Sequence, residues 1–152
     1  RDLLAYPAES IGRLMTPEYV AVPTDWPLSK VFEHIRKVGP AKETLNVVYV
    51  VDEKWKLLDD LTLEQLVLAD PSATVRDIMD QQVALLSAYD DRETAVETFR
   101  KYDAVALPVV NSQGVLVGIV TVDDVLDHLL PENWRDADED GQAQANRADG
   151  DG

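Results

Sequence analysis

An internal repeat constrains this chain of 152 residues more than any other feature. The pair Leu14-Met15 recurs as Ile78-Met79, and each pair precedes a short apolar run that is typical of a β-strand. Each repeat continues with a helix, a strand-turn-strand segment and a final helix, which is capped by Thr62 in one repeat and by Thr121 in the other. The order predicts an α/β (α+β) fold of two modules, each β-α-β-β-α, packed as a pseudo-twofold pair, because neither small sheet could cover both of its faces alone.

The periodicity also predicts where the elements and modules lie. The predicted strands are Tyr19–Val22, Val47–Val51, Leu57–Leu61, Val83–Leu86, Ala106–Val110 and Val115–Val120. The predicted helices are Leu28–Val38, Leu63–Ala69, Glu93–Tyr102 and Val122–Leu130. We expect an N-terminal linker at 1–10, a first module at 11–70, a second module at 71–131 and an acidic disordered tail at 132–152.

The charge of the chain narrows the choice of partners. Its 29 acidic and 14 basic residues give a net charge of −15, and residues 1–131 alone carry 22 acids against 12 bases. Such a surface excludes nucleic acid as a partner and favours cations. The alternative is that the acidity only keeps the protein soluble.

Several function classes are disfavoured by what the sequence lacks. Cysteine is absent, which excludes disulfides and thiolate metal sites. No Ser/His/Asp constellation, glycine-rich phosphate loop or catalytic carboxylate pair is present, so we do not expect an enzyme. The chain begins at Arg1 rather than Met and is interpreted as a fragment of something longer.

The second repeat carries the pattern on which a family resemblance depends. Leu107-Pro108-Val109-Val110 leads through Gly114 to Gly118-Ile119-Val120-Thr121, and Asp124 follows on the helix. This order of apolar strand, turn, apolar strand and Thr-x-x-Asp resembles the CBS module. A narrower likeness lies in Tyr6-Pro7, Gly12–Val22 and Tyr49–Glu53. These segments resemble the cytosolic CBS region of the MgtE family of magnesium transporters.

The resemblance implies a non-enzymatic regulatory pair that senses intracellular Mg²⁺ to control magnesium ion transport. Acids matching Glu93, Asp103, Asp124 and Asp127 contribute to magnesium sites at domain interfaces in that family. It also implies a cytoplasmic location, a homodimer formed through the CBS helices, and an adjacent N-terminal domain and membrane domain. The alternatives are that these acids are ordinary surface residues, and that the chain is a soluble relative of the transporter.

A second function remains open, that of a soluble adenine-nucleotide-binding CBS regulator of a partner protein. CBS pairs commonly bind ATP or AMP between their modules, and the resemblance assigns Thr62, Pro108, Thr121 and Asp124 to such sites. One of the two clefts departs from the pattern at three positions. Gln65 replaces the ribose-binding Asp, Glu64 stands where a basic residue would suit phosphate, and Ala104 stands where an aromatic ring would stack on adenine.

The first repeat is also unusual in carrying Asp59-Asp60 within a predicted strand. By register with Gly118-Ile119, Asp60 should face inward or into a cleft. A carboxylate there is costly unless it is paired. We therefore expect either an exposed edge or a basic partner, or else a cleft modified to prefer cations or basic ligands.

Overall fold

Apolar runs form the centre of each repeat, and short polar turns end them. The computed structural model describes residues 6–39 and 46–127. In chain order the strands are β1 (Ala21–Val22), β2 (Val47–Val51), β3 (Leu57–Thr62), β4 (Leu86–Ser87), β5 (Ala106–Val110) and β6 (Leu116–Thr121). The helices are α1 (Leu28–Val38), α2 (Leu63–Leu68), α3 (Val75–Ile78), α4 (Arg92–Tyr102) and α5 (Val122–Asp127), with a 3-10 helix at Ile11–Arg13.

The two repeats form separate three-stranded sheets with the same topology. β1 runs parallel to β2, which is antiparallel to β3, and β4, β5 and β6 repeat this order. The sheets meet where Lys56 and Val115 form an antiparallel bridge, flanked by a hydrogen bond of 3.0 Å from Leu57 N–H to the Gly114 carbonyl. Lys56 and Val115 occupy equivalent positions in the two repeats, so this bridge marks the pseudo-twofold axis.

The hydrophobic core of each repeat includes side chains from outside that repeat's own strands and helices. Tyr6, Ile11 and Met15 precede β1 but are buried in the core of the second repeat. Val75 follows α2 but is fully buried in the core of the first repeat. A third cluster, which includes Tyr49 and Ile119, lies between the two sheets. The repeats are therefore interlocked by their connecting segments as well as packed face to face.

Most predicted elements are present, with some changes of length. α1, β2 and β5 have the predicted bounds. β1 and β4 are shorter than predicted, because only two residues of each pair with the neighbouring strand. The 3-10 helix and α3 were not predicted. Residues 128–130 of the predicted last helix and the predicted tail at 132–152 lie outside the described residues. No helix within 6–39 and 46–127 is long and apolar enough to cross a membrane.

Candidate functional site

A cavity of about 780 Å³ lies between the two repeats, and we call it the inter-repeat cleft. One wall comes from β2, β3 and the residues beside them, including Val47, Asp60 and Thr62. The other comes from the approach to β4 and from the α4–β5 connection, including Ala84 and Ala104. Its size is that of a small-molecule site.

The polar groups at the start of α2 are largely engaged with each other. The Gln65 N–H donates to the Thr62 hydroxyl oxygen at 3.1 Å, and the Thr62 N–H donates to the Gln65 side-chain oxygen at 2.8 Å. This reciprocal capping box stabilises the N-terminus of α2. The Gln65 side chain that replaces the expected ribose carboxylate therefore serves the helix, and Glu64 adds a negative charge to its first turn.

Asp59 is fully buried, and its partners are backbone groups rather than a basic side chain. One carboxylate oxygen accepts the Asp60 N–H at 2.8 Å. The other accepts the N–H groups of Asp80 and Gln81 at 2.9 and 3.1 Å. The segment leading to the second repeat thus supplies two of the three donors that compensate for the burial of Asp59.

Asp60 lines the cleft, as its register predicted, and faces Tyr49 across the sheet. Burial and the neighbouring charges of Asp59 and Asp80 raise the pKa of Asp60 to about 6, against a smaller opposing effect of its own backbone N–H. No side chain among the described residues donates a hydrogen bond to this carboxylate. Of the alternatives expected for Asp60, a basic partner is absent within the described residues, whereas the half-buried carboxylate lies on β3, an edge strand of its sheet.

Tyr49 was not predicted as a site residue. It is 1% exposed, and its hydroxyl has no hydrogen-bond partner among the described residues. Burial and the charge of Asp60 raise its pKa. The register of β2 against β3 could have identified it, because Tyr49 is the residue directly opposite Asp60.

The other predicted nucleotide residues do not line this cleft. Pro108 is buried in β5 opposite Ile119. Thr121 ends β6, and its hydroxyl accepts the Asp124 N–H at 3.2 Å, which caps α5. Of the four residues assigned to nucleotide, the structure brings only Thr62 to the described lining of the inter-repeat cleft.

The four predicted metal ligands lie on two helices that contact each other. Glu93 is in the first turn of α4, whereas Asp103 caps its C-terminus in a left-handed conformation, with a φ of 50°. Their backbone positions are ten residues apart, which corresponds to about 15 Å along the helix axis. Asp124 and Asp127 are both on α5, one turn apart. The described residues gather no group of three or more His, Cys, Asp or Glu that could hold a metal ion. Carboxylates suit Mg²⁺, but a site built on these acids would need further ligands from outside the described residues.

Comparison with known proteins places this arrangement in a family. The CBS domain profile matches residues 11–72 and 75–131. Together these segments cover most of the chain, which therefore belongs to the CBS domain family.

Its relatives include magnesium transporters MgtE. The chain is 43% identical over 134 residues to MgtE of Thermus thermophilus, covering 88% of this chain and 30% of that protein. It is 37% identical over 138 residues to MgtE of Bacillus subtilis, covering 91% and 30% respectively. The chain thus spans less than a third of the length of these relatives.

The fold also matches a solved structure, that of the cytosolic domain of the Mg²⁺ channel MgtE in complex with ATP. The TM-score is 0.80 at 44% sequence identity, and the match covers 84% of this chain and 51% of that one. The resemblance to the cytosolic CBS region of the MgtE family is confirmed.

Proposed function

We propose that this chain is the cytoplasmic regulatory CBS pair of an MgtE-like magnesium transporter and that it senses intracellular Mg²⁺ without catalysing a reaction. The observation that carries this proposal is the 43% identity to a magnesium transporter over 134 residues, together with the match to an MgtE cytosolic domain. The parts of the relatives that this chain does not span would supply the adjacent N-terminal domain and the membrane domain.

The sensing mechanism is electrostatic. Glu93, Asp103, Asp124 and Asp127 place carboxylates along α4 and α5, in a chain of net charge −15. Without metal, such carboxylates repel those of a neighbouring domain or copy. Bound Mg²⁺ bridges them and favours the compact state of the assembly. The described residues gather no three-ligand group, so further ligands would come from outside them, and the proposal places these at an interface with a neighbouring domain or copy.

A second copy of the chain is the partner that the surface favours. Val67 on α2 and Leu126 on α5 hold equivalent positions in the two repeats, and they are 63% and 47% exposed. Exposed apolar side chains at matched positions on both final helices fit a symmetric homodimer. The dimer would bring carboxylates of two copies together.

Calorimetric titration of Mg²⁺ into the dimer tests the proposal. We expect measurable binding heat that falls strongly in the double variant Asp124→Asn/Asp127→Asn. The matched control is Asp25→Asn/Glu53→Gln, which removes the same amount of charge beside a different cavity. This control should bind Mg²⁺ as the unaltered protein does. Absence of heat, or equal heat in both double variants, would contradict Mg²⁺ sensing through these acids.

Adenine nucleotide binding is the second candidate, and it is supported by the ATP complex of the similar MgtE domain. In this chain the inter-repeat cleft provides the space and Thr62 provides one polar group. Glu64, Gln65 and Ala104 weaken ATP binding for the reasons given above. The triple variant Glu64→Arg/Gln65→Asp/Ala104→Phe should therefore bind ATP more tightly than the parent. If it gains no affinity, ATP does not bind this cleft as the family pattern implies.

A further inference from the structure

A second cavity, of about 460 Å³, borders the first repeat, and we call it the hairpin pocket. It is lined by the ends of β1 and β2, by the turn that follows each of these strands, and by Arg76 of α3. None of these residues lines the inter-repeat cleft. The volume lies within the range of small-molecule sites. The hairpin pocket is therefore a separate candidate site, which neither of the two functions proposed above uses.

Trp55 lines this pocket from a backbone conformation that bulky residues rarely adopt. It lies in the turn between β2 and β3 with a φ of 68°, in the left-handed region. Gly114 holds the equivalent position in the second repeat, with a φ of 81° and the same turn hydrogen bond. A tryptophan is energetically unfavourable there, whereas glycine is not. Because the second repeat makes the same turn with glycine, the turn does not require Trp55, and its ring needs another reason to be present.

The ring of Trp55 is held in place but is not covered. Its Nε1–H donates a hydrogen bond of 2.9 Å to the Tyr19 hydroxyl oxygen. The residue is nevertheless 44% exposed. An indole has only this one donor, so the rest of its surface offers apolar and aromatic contact. A ring that is already oriented lowers the entropic cost of binding a ligand against it.

Opposite charges border the hairpin pocket without pairing with each other. Arg76 is held against Thr24 by two hydrogen bonds of 3.0 Å, one from its Nη2 to the Thr24 hydroxyl and one between backbone groups. Asp25 and Glu53 line the same pocket and are exposed. Within 6–39 and 46–127, none of these three charged groups forms an ion pair. The third acid of the lining, Asp52, already accepts two backbone N–H groups of its own turn.

We propose that the hairpin pocket binds a free α-amino acid with an aromatic side chain. The ligand carboxylate pairs with the Arg76 guanidinium, whose planar fork suits a carboxylate. The ligand ammonium group, with three donors and no acceptor, pairs with Asp25 or Glu53, and the ligand ring packs against Trp55. A ligand with only a negative charge would meet repulsion from the acids, and one with only a positive charge would meet repulsion from Arg76. A zwitterion satisfies both.

A bound ligand would also be close to the contact between the repeats. The Trp55 carbonyl accepts the Leu116 N–H at 2.9 Å, so the residue that lines the pocket is hydrogen-bonded directly to the second repeat. The site is thus placed to affect how the repeats pack. It uses none of the acids assigned to Mg²⁺.

A ligand series that varies only in charged groups tests the proposal. L-phenylalanine, 2-phenylethylamine and 3-phenylpropanoate share a ring and a two-carbon chain, and they carry both charges, only the ammonium and only the carboxylate. In calorimetric titrations of the 152-residue chain at pH 7.5, L-phenylalanine should bind about tenfold more tightly than either analogue. That is the size of one charge-assisted hydrogen bond. An analogue that binds as tightly as L-phenylalanine would overturn the proposal, as would no binding of any of the three at millimolar concentration.

Charge variants assign each end of the ligand. Arg76→Gln should remove the advantage of L-phenylalanine over 2-phenylethylamine, and Asp25→Asn/Glu53→Gln should remove its advantage over 3-phenylpropanoate. Arg36→Gln is the matched control, because it removes an exposed arginine of α1 that does not line the pocket. An advantage retained in Arg76→Gln, or lost equally in Arg36→Gln, would contradict the assignment.

Two variants separate a binding role of Trp55 from a structural one. Trp55→Gly should lose binding of L-phenylalanine, while its urea midpoint stays at least as high as that of the unaltered protein, because glycine suits the left-handed turn. Tyr19→Phe removes only the acceptor of the indole N–H and should still bind. Binding that persists in Trp55→Gly would overturn the proposal. Equal falls in stability in both variants, with binding lost in both, would assign Trp55 to the contact with Tyr19 instead.

The site and Mg²⁺ sensing can fail separately. Asp124→Asn/Asp127→Asn should keep binding of L-phenylalanine while losing Mg²⁺ heat, and Asp25→Asn/Glu53→Gln should do the reverse. Loss of both activities in either double variant would mean that the hairpin pocket is not an independent site.

Discussion

The Asp59 carboxylate accepts the backbone N–H of Asp80 at 2.9 Å. In the second repeat, the corresponding hydrogen bonds join backbone groups on both sides. At the equivalent place, Thr16 and Ile119 exchange two backbone hydrogen bonds of 2.8 and 2.9 Å. In the first repeat, a side-chain carboxylate thus replaces the backbone carbonyl that is the acceptor at the equivalent contact in the second repeat. This substitution leaves Asp60 at the cleft and ties β3 to the segment that leads into the second repeat.

Removing the Asp59 carboxylate should be costly. Asp59→Ala removes a fully buried carboxylate and leaves three backbone N–H groups without their acceptor. We expect a loss of about 3 kcal/mol in the free energy of unfolding. Urea denaturation measures it, with Asp25→Ala as the exposed control. A loss no larger than that of the control would mean that the three hydrogen bonds contribute little.

The Asp60 carboxylate should make stability depend on pH. Its folded pKa of about 6 lies above the ordinary 3.8, so the native state resists ionisation, and the stability present below pH 3.8 is lost as pH rises through 6. The shift alone corresponds to about 3 kcal/mol, and partial exposure to solvent reduces the expected effect to about 1 kcal/mol. Asp60→Asn should therefore stabilise the protein at pH 7.5 but not at pH 4, by urea midpoints. An equal effect at both pH values would contradict the shifted pKa.

Gly118 should not tolerate a side chain. A Cβ at this position would lie 2.9 Å from Met15 Sδ and 3.0 Å from the Thr16 carbonyl oxygen. Gly118→Ala should cost about 2 kcal/mol by thermal unfolding, in the range of overpacked cores. Its cost should be smaller in a Met15→Ala background, where the sulfur is gone. The same cost in both backgrounds would show that Met15 is not the obstacle.

The interlocked cores should make the two repeats unfold together. Tyr6→Ala removes a buried ring from the core of the second repeat and should cost about 3 kcal/mol. Hydrogen exchange should then show that β2 in the first repeat loses protection as much as β5 in the second. Exchange faster in β5 but unchanged in β2 would mean that the repeats are independent.

The exposed apolar residues on α2 and α5 should hold the homodimer together. Val67→Glu/Leu126→Glu is expected to yield monomer by sedimentation velocity, because a buried unpaired charge is costly. Leu85→Glu, at a residue that is 42% exposed but lies outside these helices, should leave the dimer intact. A dimer that survives the double variant would place the interface elsewhere.

The sequence predicted the fold well because its strongest signals are local. The apolar runs of β2 and β5 end at polar turns, and the apolar face of α1 has a clear helical period. The predicted bounds of these three elements therefore agree with the structure. The inward register of Asp60 also followed from counting along paired strands. These inferences need only neighbouring residues and the repeat.

The site was harder to predict because it depends on contacts between distant residues. Two of the three donors to Asp59 lie more than 20 residues away along the chain, at Asp80 and Gln81. The hydrogen bonds between Gln65 and Thr62 join residues close in sequence, but the family pattern led to an interpretation in terms of ribose binding instead of helix capping. The roles of Glu93, Asp103, Asp124 and Asp127 in metal binding remain predictions, because their partners would come from outside the described residues.

The placement of Tyr6 has a mechanical consequence. Tyr6, where the described chain enters, and Val125, close to where it leaves, are buried in the same core cluster. A pull applied between neighbouring domains on the two sides would therefore load the second repeat directly. The first repeat lies between these two points in the sequence but would not carry the applied force. Ligand-driven changes of shape in the first repeat would then reach an attached domain through the second repeat, by way of the face and the connecting segments that the two repeats share.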